Sequence, residues 1–298
     1  MSRLPPLNLI NEQVGLALSE DLGAGDLTAG LLDEHVLARA HIICRENAVI
    51  CGVAWVNQVF RQLDGSIELD WRVADGDAVT PGSVLCRLQG NNRSLLSGER
   101  TALNYLQTLS ATATVTRRFV EAVEGTGVTI LDTRKTIPGL RVQQKYAVAC
   151  GGGRNHRIGL YDAILLKENH VQIAGSIGAA LKRANQIAPT GVEIEVEVES
   201  LAQLDEALSA GAKRILLDNF GLKMLREAVE MNAGQARLEA SGGVDLETIR
   251  SIAETGVDDI SVGALTKDVR AVDLSMLFID YTFLFLCARI DRGIHQLI

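Results

Sequence analysis

The chain has 298 residues, 47% of them hydrophobic, enough to bury the core of one large domain or two modest ones. Its net charge of −8 and pI near 5.2 argue against the broad basic face that non-specific nucleic-acid binding requires. Five scattered cysteines (Cys44, Cys51, Cys86, Cys150 and Cys287) show neither CxxC nor zinc-finger spacing, which disfavours a disulfide framework or a structural zinc.

The opening MSRLPPLNLINEQ carries no apolar signal core and no transit pattern, so a cytoplasmic protein is expected. An amphipathic helix is predicted over residues 8–21, followed by strand-like ARAHIICRENAVICG, a helix over VAWVNQVFRQL and strand-like IELDWRV. The next stretch, ADGDAVTPGSVLCRLQG, has the turns of a biotinyl or lipoyl carrier hammerhead. With no lysine before Lys135 to carry the group, it reads as a structural β-hairpin. A helix from Leu95 to about residue 115 leads into a second region, with no Pro/Gly/Ser linker between the two.

Beyond residue 127 short β-rich runs alternate with helical patterns. The runs are VTILD (128–132), AILLK (163–167), VEIEVEV (192–198), RILLD (214–218), RLEAS (237–241) and DDISVG (258–263). Strands apolar on both faces and alternating with helices predict a parallel sheet covered by helices. The close spacing of the later strands favours an incomplete βα barrel, in which GLRVQQKYAVACGGG could hide a further strand. A doubly wound sheet is the alternative, but the glycine fingerprint expected after its first strand is missing. The apolar run 274–288 is too short for a spanning helix and contains Asp280, so it reads as a helix packed on the protein or on a subunit.

In a βα barrel the carboxyl ends of the strands face one cavity. Here those ends are polar: Asp132-Thr133-Arg134-Lys135-Thr136, Lys167-Glu168-Asn169-His170, Glu197 with Glu199, Asp218-Asn219, Ser241-Gly242-Gly243 and Ser261-Val262-Gly263-Ala264. The last two are glycine-bearing loops expected to open into helices, where backbone N–H groups and the helix terminus suit a phosphate. Glu197 and Asp218, on adjacent strands, suit Mg²⁺ and ribose hydroxyls, although alternation alone cannot choose among Glu195, Glu197 and Glu199. Between Arg134 and Lys167 seven cations stand against the single acid Asp162. Arg134, Lys135, His156, Arg157 and Lys167 therefore call for an anion from outside, such as a small dicarboxylate held by charge-assisted bonds.

The motifs GERTALN, LDTRKTIPGLR, KYAVACGGGRNHRIGLYDAILLKENH, EVEVES, LLDNF, LEASGGV and ISVGALT, in this order, resemble the quinolinate phosphoribosyltransferases. The resemblance runs from about Glu20 to Met276. It implies an N-terminal open-faced α/β sandwich (1–115), an incomplete TIM-like α/β barrel (116–276) and a C-terminal apolar tail (277–298), in a homodimer. The implied activity joins quinolinate to the phosphoribosyl group of phosphoribosyl pyrophosphate with loss of CO₂, in NAD biosynthesis. Carried over by motif, Arg100 would reach the partner's site, and Arg134, Lys135, His156, Arg157 and Lys167 would bind quinolinate. Glu197, now chosen by the register of EVEVES, and Asp218 would hold ribose and Mg²⁺, and with Lys135 form the catalytic set. Ser241, Gly242, Gly243, Val262, Gly263 and Ala264 would hold the 5′-phosphate. No membrane or nucleic-acid partner is expected.

Three other readings compete. A sister phosphoribosyltransferase for another pyridine acid would need fewer cations. A Schiff-base aldolase could use Lys135 or Lys167 at a barrel strand end. A barrel kept only for phosphate binding would not need both the cation and carboxylate sets.

Overall fold

The computed structural model describes residues 4–280. In chain order these form α1 (Leu7–Leu22), β1 (Leu37–Cys44), β2 (Ala48–Val49), α2 (Val53–Leu63), β3 (Glu68–Trp71), β4 (Ala78–Val79), β5 (Val84–Asn91) and the long α3 (Asn92–Ala122). There follow β6 (Thr129–Leu131), α4 (Arg141–Cys150), β7 (Ala163–Leu166), α5 (Glu168–Ala174), α6 (Ile177–Ile187), β8 (Glu193–Val198), α7 (Leu201–Ser209) and β9 (Arg214–Asp218). The last elements are α8 (Leu222–Asn232), β10 (Arg237–Ser241), α9 (Ile249–Ala253), β11 (Asp259–Ser261), α10 (Ala264–Lys267) and β12 (Leu274–Asp280).

The described residues divide into two compact units, one of residues 115–269 and the other of residues 4–114 together with 270–280. The second unit contains an antiparallel sheet in the order β12-β1-β5-β3. Alternation along β1 buries Ala38, Ala40, Ile42 and Cys44, while α1 and α2 bury Ile10, Val14, Trp55, Val59 and Phe60. Leu37, Leu277 and Ile279 remain exposed on the sheet, the open face of a one-sided sandwich. Cys44 and Cys86 are free, buried thiols.

The described part of the apolar run, Leu274–Asp280, is a strand, not a helix. β12 pairs antiparallel with β1, from Cys44↔Leu274 to Ala40↔Phe278. Its period is two, with Leu274 and Met276 buried and Leu277 and Ile279 exposed, and it covers an edge of β1 that would otherwise lack a partner. The remainder of the tail, 281–298, lies outside the described residues. Residues 270–280 group with the sandwich unit.

In the barrel unit all six predicted runs are parallel strands in the order β6-β11-β10-β9-β8-β7. Every sequential neighbour pairs except β6 with β7, so the barrel is open between its first two strands. No further strand hides in GLRVQQKYAVACGGG, whose first ten residues from Arg141 form α4. What narrows the gap is the segment after it. Arg154 bridges Leu131, with its N–H donating to the Ile130 carbonyl at 2.8 Å and its carbonyl accepting the Asp132 N–H at 3.1 Å.

The strands are not apolar on both faces. Val196, Val198, Ile215, Leu217, Leu238, Ala240 and Ile260 pack outward with Leu181, Leu204, Leu225 and Ile249 of the helices. Residues of the other parity, including Glu195, Glu197, Arg214, Glu239 and Asp259, face the barrel axis, so the interior is charged.

Candidate active site

A cavity of about 280 Å³ opens at the carboxyl ends of the barrel strands. Arg134 and Lys135 after β6, His156 and Arg157 from the gap segment, Lys167 after β7, Glu197 on β8 and Asp218 on β9 all line it, with Ser241 and Ser261. The fold therefore gathers into one space the cations and carboxylates that the sequence separates by up to 84 positions.

The cations do not all await an outside anion. Lys167 Nζ donates to Glu197 Oε2 across adjacent strand ends. Lys145 is buried against Asp132, and Arg141 is spent on Thr136 Oγ1 and the Ile158 and Arg134 carbonyls. Three cavity cations remain, for among the described residues no carboxylate lies within 4.0 Å of Arg134, Lys135 or Arg157. Arg134 Nε is buried with no hydrogen-bond partner. Burial and the neighbouring Arg134 both hold the Arg157 guanidinium below its ordinary value, the signature of like charges kept together. A bound dianion relieves that repulsion.

His156, expected among the quinolinate ligands, has both ring nitrogens engaged within the chain. Its Nε2 lies 2.8 Å from Glu195 Oε2, and its Nδ1 accepts the Arg157 N–H at 2.7 Å. The ring thus borders the cavity without offering it a free polar atom. Although burial disfavours charge on the ring, the hydrogen bond to Glu195 and the charges of Glu239 and Glu195 hold its pKa above the ordinary range.

Asp218 has no cation partner among the described residues; its Oδ2 accepts from Asn219 Nδ2 at 2.9 Å. With Glu197 it offers carboxylate oxygens on neighbouring strand ends of one cavity, a donor set that fits a hard divalent cation. Another trio, His156, Glu195 and Glu239, also has ligand atoms within 4.8 Å of one another. Arg214 already compensates both of those carboxylates, at 3.0 and 2.5 Å.

At the glycine-bearing strand ends, Gly242 has φ +102°, and a Cβ there would lie 2.1 Å from Asn219 Oδ1, so only glycine lets the two strand ends approach. The Asn219 N–H donates to the Ser241 carbonyl at 2.8 Å. Gly263 packs under Lys135, whose Cδ would be 3.1 Å from an added Cβ, so the first and last strand ends share one corner. Two expectations change here. The Val262 N–H is taken by the Leu131 carbonyl at 2.9 Å and is not free for a phosphate. The Ser241-Gly242-Gly243 turn does not open directly into a helix, since α9 begins at Ile249. Gly243 has φ +60°, and Ala264 begins α10. Arg100 is exposed on α3, in the part assigned to the sandwich unit.

The sequence did not reveal the charged floor of the cavity: Arg214, Arg237, Asp259 and Glu239, which itself lines the cavity, with Glu195 named only as an alternative to Glu197. The available signal was charge at alternate positions of otherwise apolar strands, as in RILLD and RLEAS.

Residues 26–110 match the quinolinate phosphoribosyl transferase N-terminal domain, and residues 112–277 match the C-terminal domain. The chain is 42% identical over 257 residues to a Bacillus subtilis protein named probable nicotinate-nucleotide pyrophosphorylase [carboxylating], covering 86% of this chain and 89% of that one. It is 40% identical over 281 residues to the mitochondrial quinolinate phosphoribosyltransferase [decarboxylating] 2a of Nicotiana tabacum, covering 88% and 80%. Among solved structures, the nicotinate-nucleotide pyrophosphorylase of Francisella tularensis superposes with a TM-score of 0.90 at 44% identity, covering 93% of this chain and 98% of that one.

Proposed function

This chain belongs to the quinolinate phosphoribosyltransferase family, and we propose that the cavity at its barrel strand ends carries the family's reaction through the residues gathered there. The enzyme transfers phosphoribosyl from phosphoribosyl pyrophosphate to quinolinate, giving nicotinate mononucleotide, pyrophosphate and CO₂ in NAD biosynthesis. The observation that carries the site assignment is the set of three cavity cations without carboxylate partners, Arg134, Lys135 and Arg157.

Arg134 and Arg157 bind the two ring carboxylates, with Lys167 joining them as it exchanges Glu197 for substrate. The ring nitrogen, unprotonated near neutral pH, attacks the ribosyl carbon as pyrophosphate leaves. No side chain need act as a nucleophile, so positioning and charge stabilisation supply the rate. Lys135, lying over Gly263, faces the departing pyrophosphate. Glu197 and Asp218 hold the ribose hydroxyls and carry negative charge beside the cationic ribosyl centre. They would also hold Mg²⁺, which when bound neutralises charge on the leaving group. Ser241, Gly242, Gly243, Gly263 and Ala264 cradle the 5′-phosphate. The ribosylated ring is a pyridinium able to accept the electrons left at C2 as CO₂ departs.

Arg100 acts in the neighbouring subunit's site of a homodimer, and the free thiols suit a cytoplasmic enzyme. Among the described residues no helix is long and apolar enough to cross a membrane. Comparing quinolinate with nicotinate as acceptor tests the reading. Arg134→Ala and Arg157→Ala should abolish the preference for the dicarboxylate, and a native enzyme that accepts both equally contradicts it.

A further inference from the structure

At the floor of the cavity, which Glu239 itself lines, Glu195, Glu239 and Asp259 have side chains at most 3% exposed. They meet the guanidiniums of Arg214 and Arg237. Arg214 donates to Glu195 Oε1 at 3.0 Å and Glu239 Oε2 at 2.5 Å, and Arg237 donates to both oxygens of Asp259 at 2.6 and 2.5 Å. Three buried carboxylates thus face two guanidiniums, and one further proton closes the charge. An uncompensated buried charge is costly, so that proton belongs to the resting layer.

Two groups compete for it, the His156 ring and Glu239. The hydrogen bonds decide. Glu195 and Glu239 favour a second proton on the ring, but His156 Nδ1 accepts the Arg157 N–H and has no lone pair left to take one, so the ring's one proton stands on Nε2, directed at Glu195. Glu239 Oε1 is buried, makes no hydrogen bond, and lies 3.7 Å from His156 Nε2. It is the oxygen with room for a proton. Burial and the charge of Glu195 push the Glu239 carboxyl up to about 7, against the opposing influence of His156, Arg214 and the Ser261 hydroxyl.

We propose that Glu239 is a positioning residue for the substrate dicarboxylate: as a neutral acid it holds Glu195 and the His156 ring in place, and the ring fixes the main chain of Arg157. His156 and Arg157 border both the substrate cavity and a cavity of about 170 Å³ on the Arg214 side, so a shift of this layer reaches the guanidinium directly. This rests on Arg157 as a carboxylate ligand. Loss of the Glu239 proton adds a further carboxylate charge to those of Glu195, Asp259 and the exposed Glu193 around Arg214, and draws the His156 ring away from Arg157.

The test is the KM for quinolinate as a function of pH, for native enzyme, Glu239→Gln and Arg157→Ala. In native enzyme KM should rise above neutrality, approaching about tenfold per pH unit for a single ionisation, while kcat changes little. Glu239→Gln, a permanent mimic of the neutral acid, should lose that rise; ionisation of the substrates is common to both proteins and cancels. Superimposable native and Glu239→Gln profiles overturn the proposal. An unchanged KM in Arg157→Ala overturns the underlying assignment instead. Thermal unfolding supplies a second readout should the variant lose activity. A carboxyl raised in the folded state contributes stability that is complete below its unfolded value and is lost as pH rises through about 7, so Glu239→Gln should flatten the native fall in Tm over that window. Equal slopes again overturn the proposal.

Discussion

Lys145 Nζ sits 2.5 Å from Asp132 Oδ1, both side chains buried, and together they clamp the segment that fills the open side of the barrel. Lys145 also donates to the His156 carbonyl at 2.9 Å, while Asp132 accepts the His156 N–H at 2.9 Å and Asn155 Nδ2 at 2.7 Å. Asp132 opens the DTRKT motif, yet it serves the site from beneath by fixing the chain that presents His156 and Arg157.

Asp132→Asn or Lys145→Met should each destabilise the barrel, since removing one partner of a buried pair costs about 3–5 kcal/mol. Urea unfolding monitored by circular dichroism measures this. The double variant Asp132→Leu/Lys145→Met should recover part of the loss, because no unpaired charge is left behind. A single variant as stable as native protein would show that the pair does not hold this segment.

Arg134→Lys and Arg157→Lys should each lower kcat/KM for quinolinate by roughly 10- to 100-fold, the equivalent of one charge-assisted hydrogen bond of about 1.5–3 kcal/mol. Lysine keeps the charge and loses the planar fork, so the drop reports geometry. Initial rates at saturating phosphoribosyl pyrophosphate give the value. KM for the phosphoribosyl donor should move far less.

Gly242→Ala should raise KM for phosphoribosyl pyrophosphate and lower Tm. The new Cβ would stand 2.1 Å from Asn219 Oδ1 at a backbone φ of +102°, and such strain costs on the order of 1–3 kcal/mol. Titration calorimetry with the donor alone, beside a melting curve, separates the two effects. Native-like values of both would remove this turn from the phosphate site.

Chelation with EDTA should abolish turnover, and added Mg²⁺ should restore it. Asp218→Asn should raise the Mg²⁺ concentration for half-maximal rate about tenfold or more, as expected when a hard cation loses one charged oxygen ligand. A rate indifferent to EDTA contradicts the assignment of Glu197 and Asp218 to a metal.

The six barrel strands were legible because their outward residues form apolar runs bounded by helical periods. The polar strand ends were legible because the barrel architecture says where such ends point. Charge inside the barrel was harder to see. Arg214 and Glu239 each lie in a short strand run with one other charge, Asp218 in RILLD and Arg237 in RLEAS, and only the register that sets Leu216 beside both Glu197 and Glu239 shows that such residues share a face across strands. The role of His156 was not legible either. Its type suggested a ligand, whereas its work depends on Glu195, 39 positions away, and on the N–H of its own neighbour. β12 was misread because a continuous apolar run hides its period, which appears only when β1 supplies a partner edge.

The most direct test of the account is a single assay on native enzyme and Lys135→Ala, with quinolinate, phosphoribosyl pyrophosphate and Mg²⁺, following pyrophosphate, CO₂ and nicotinate mononucleotide together. The account predicts the three products in equal amounts from native enzyme and a near-complete loss of all three in the variant, whose fold is checked by circular dichroism. Native turnover without CO₂, or a folded Lys135→Ala protein that works at the native rate, would contradict it.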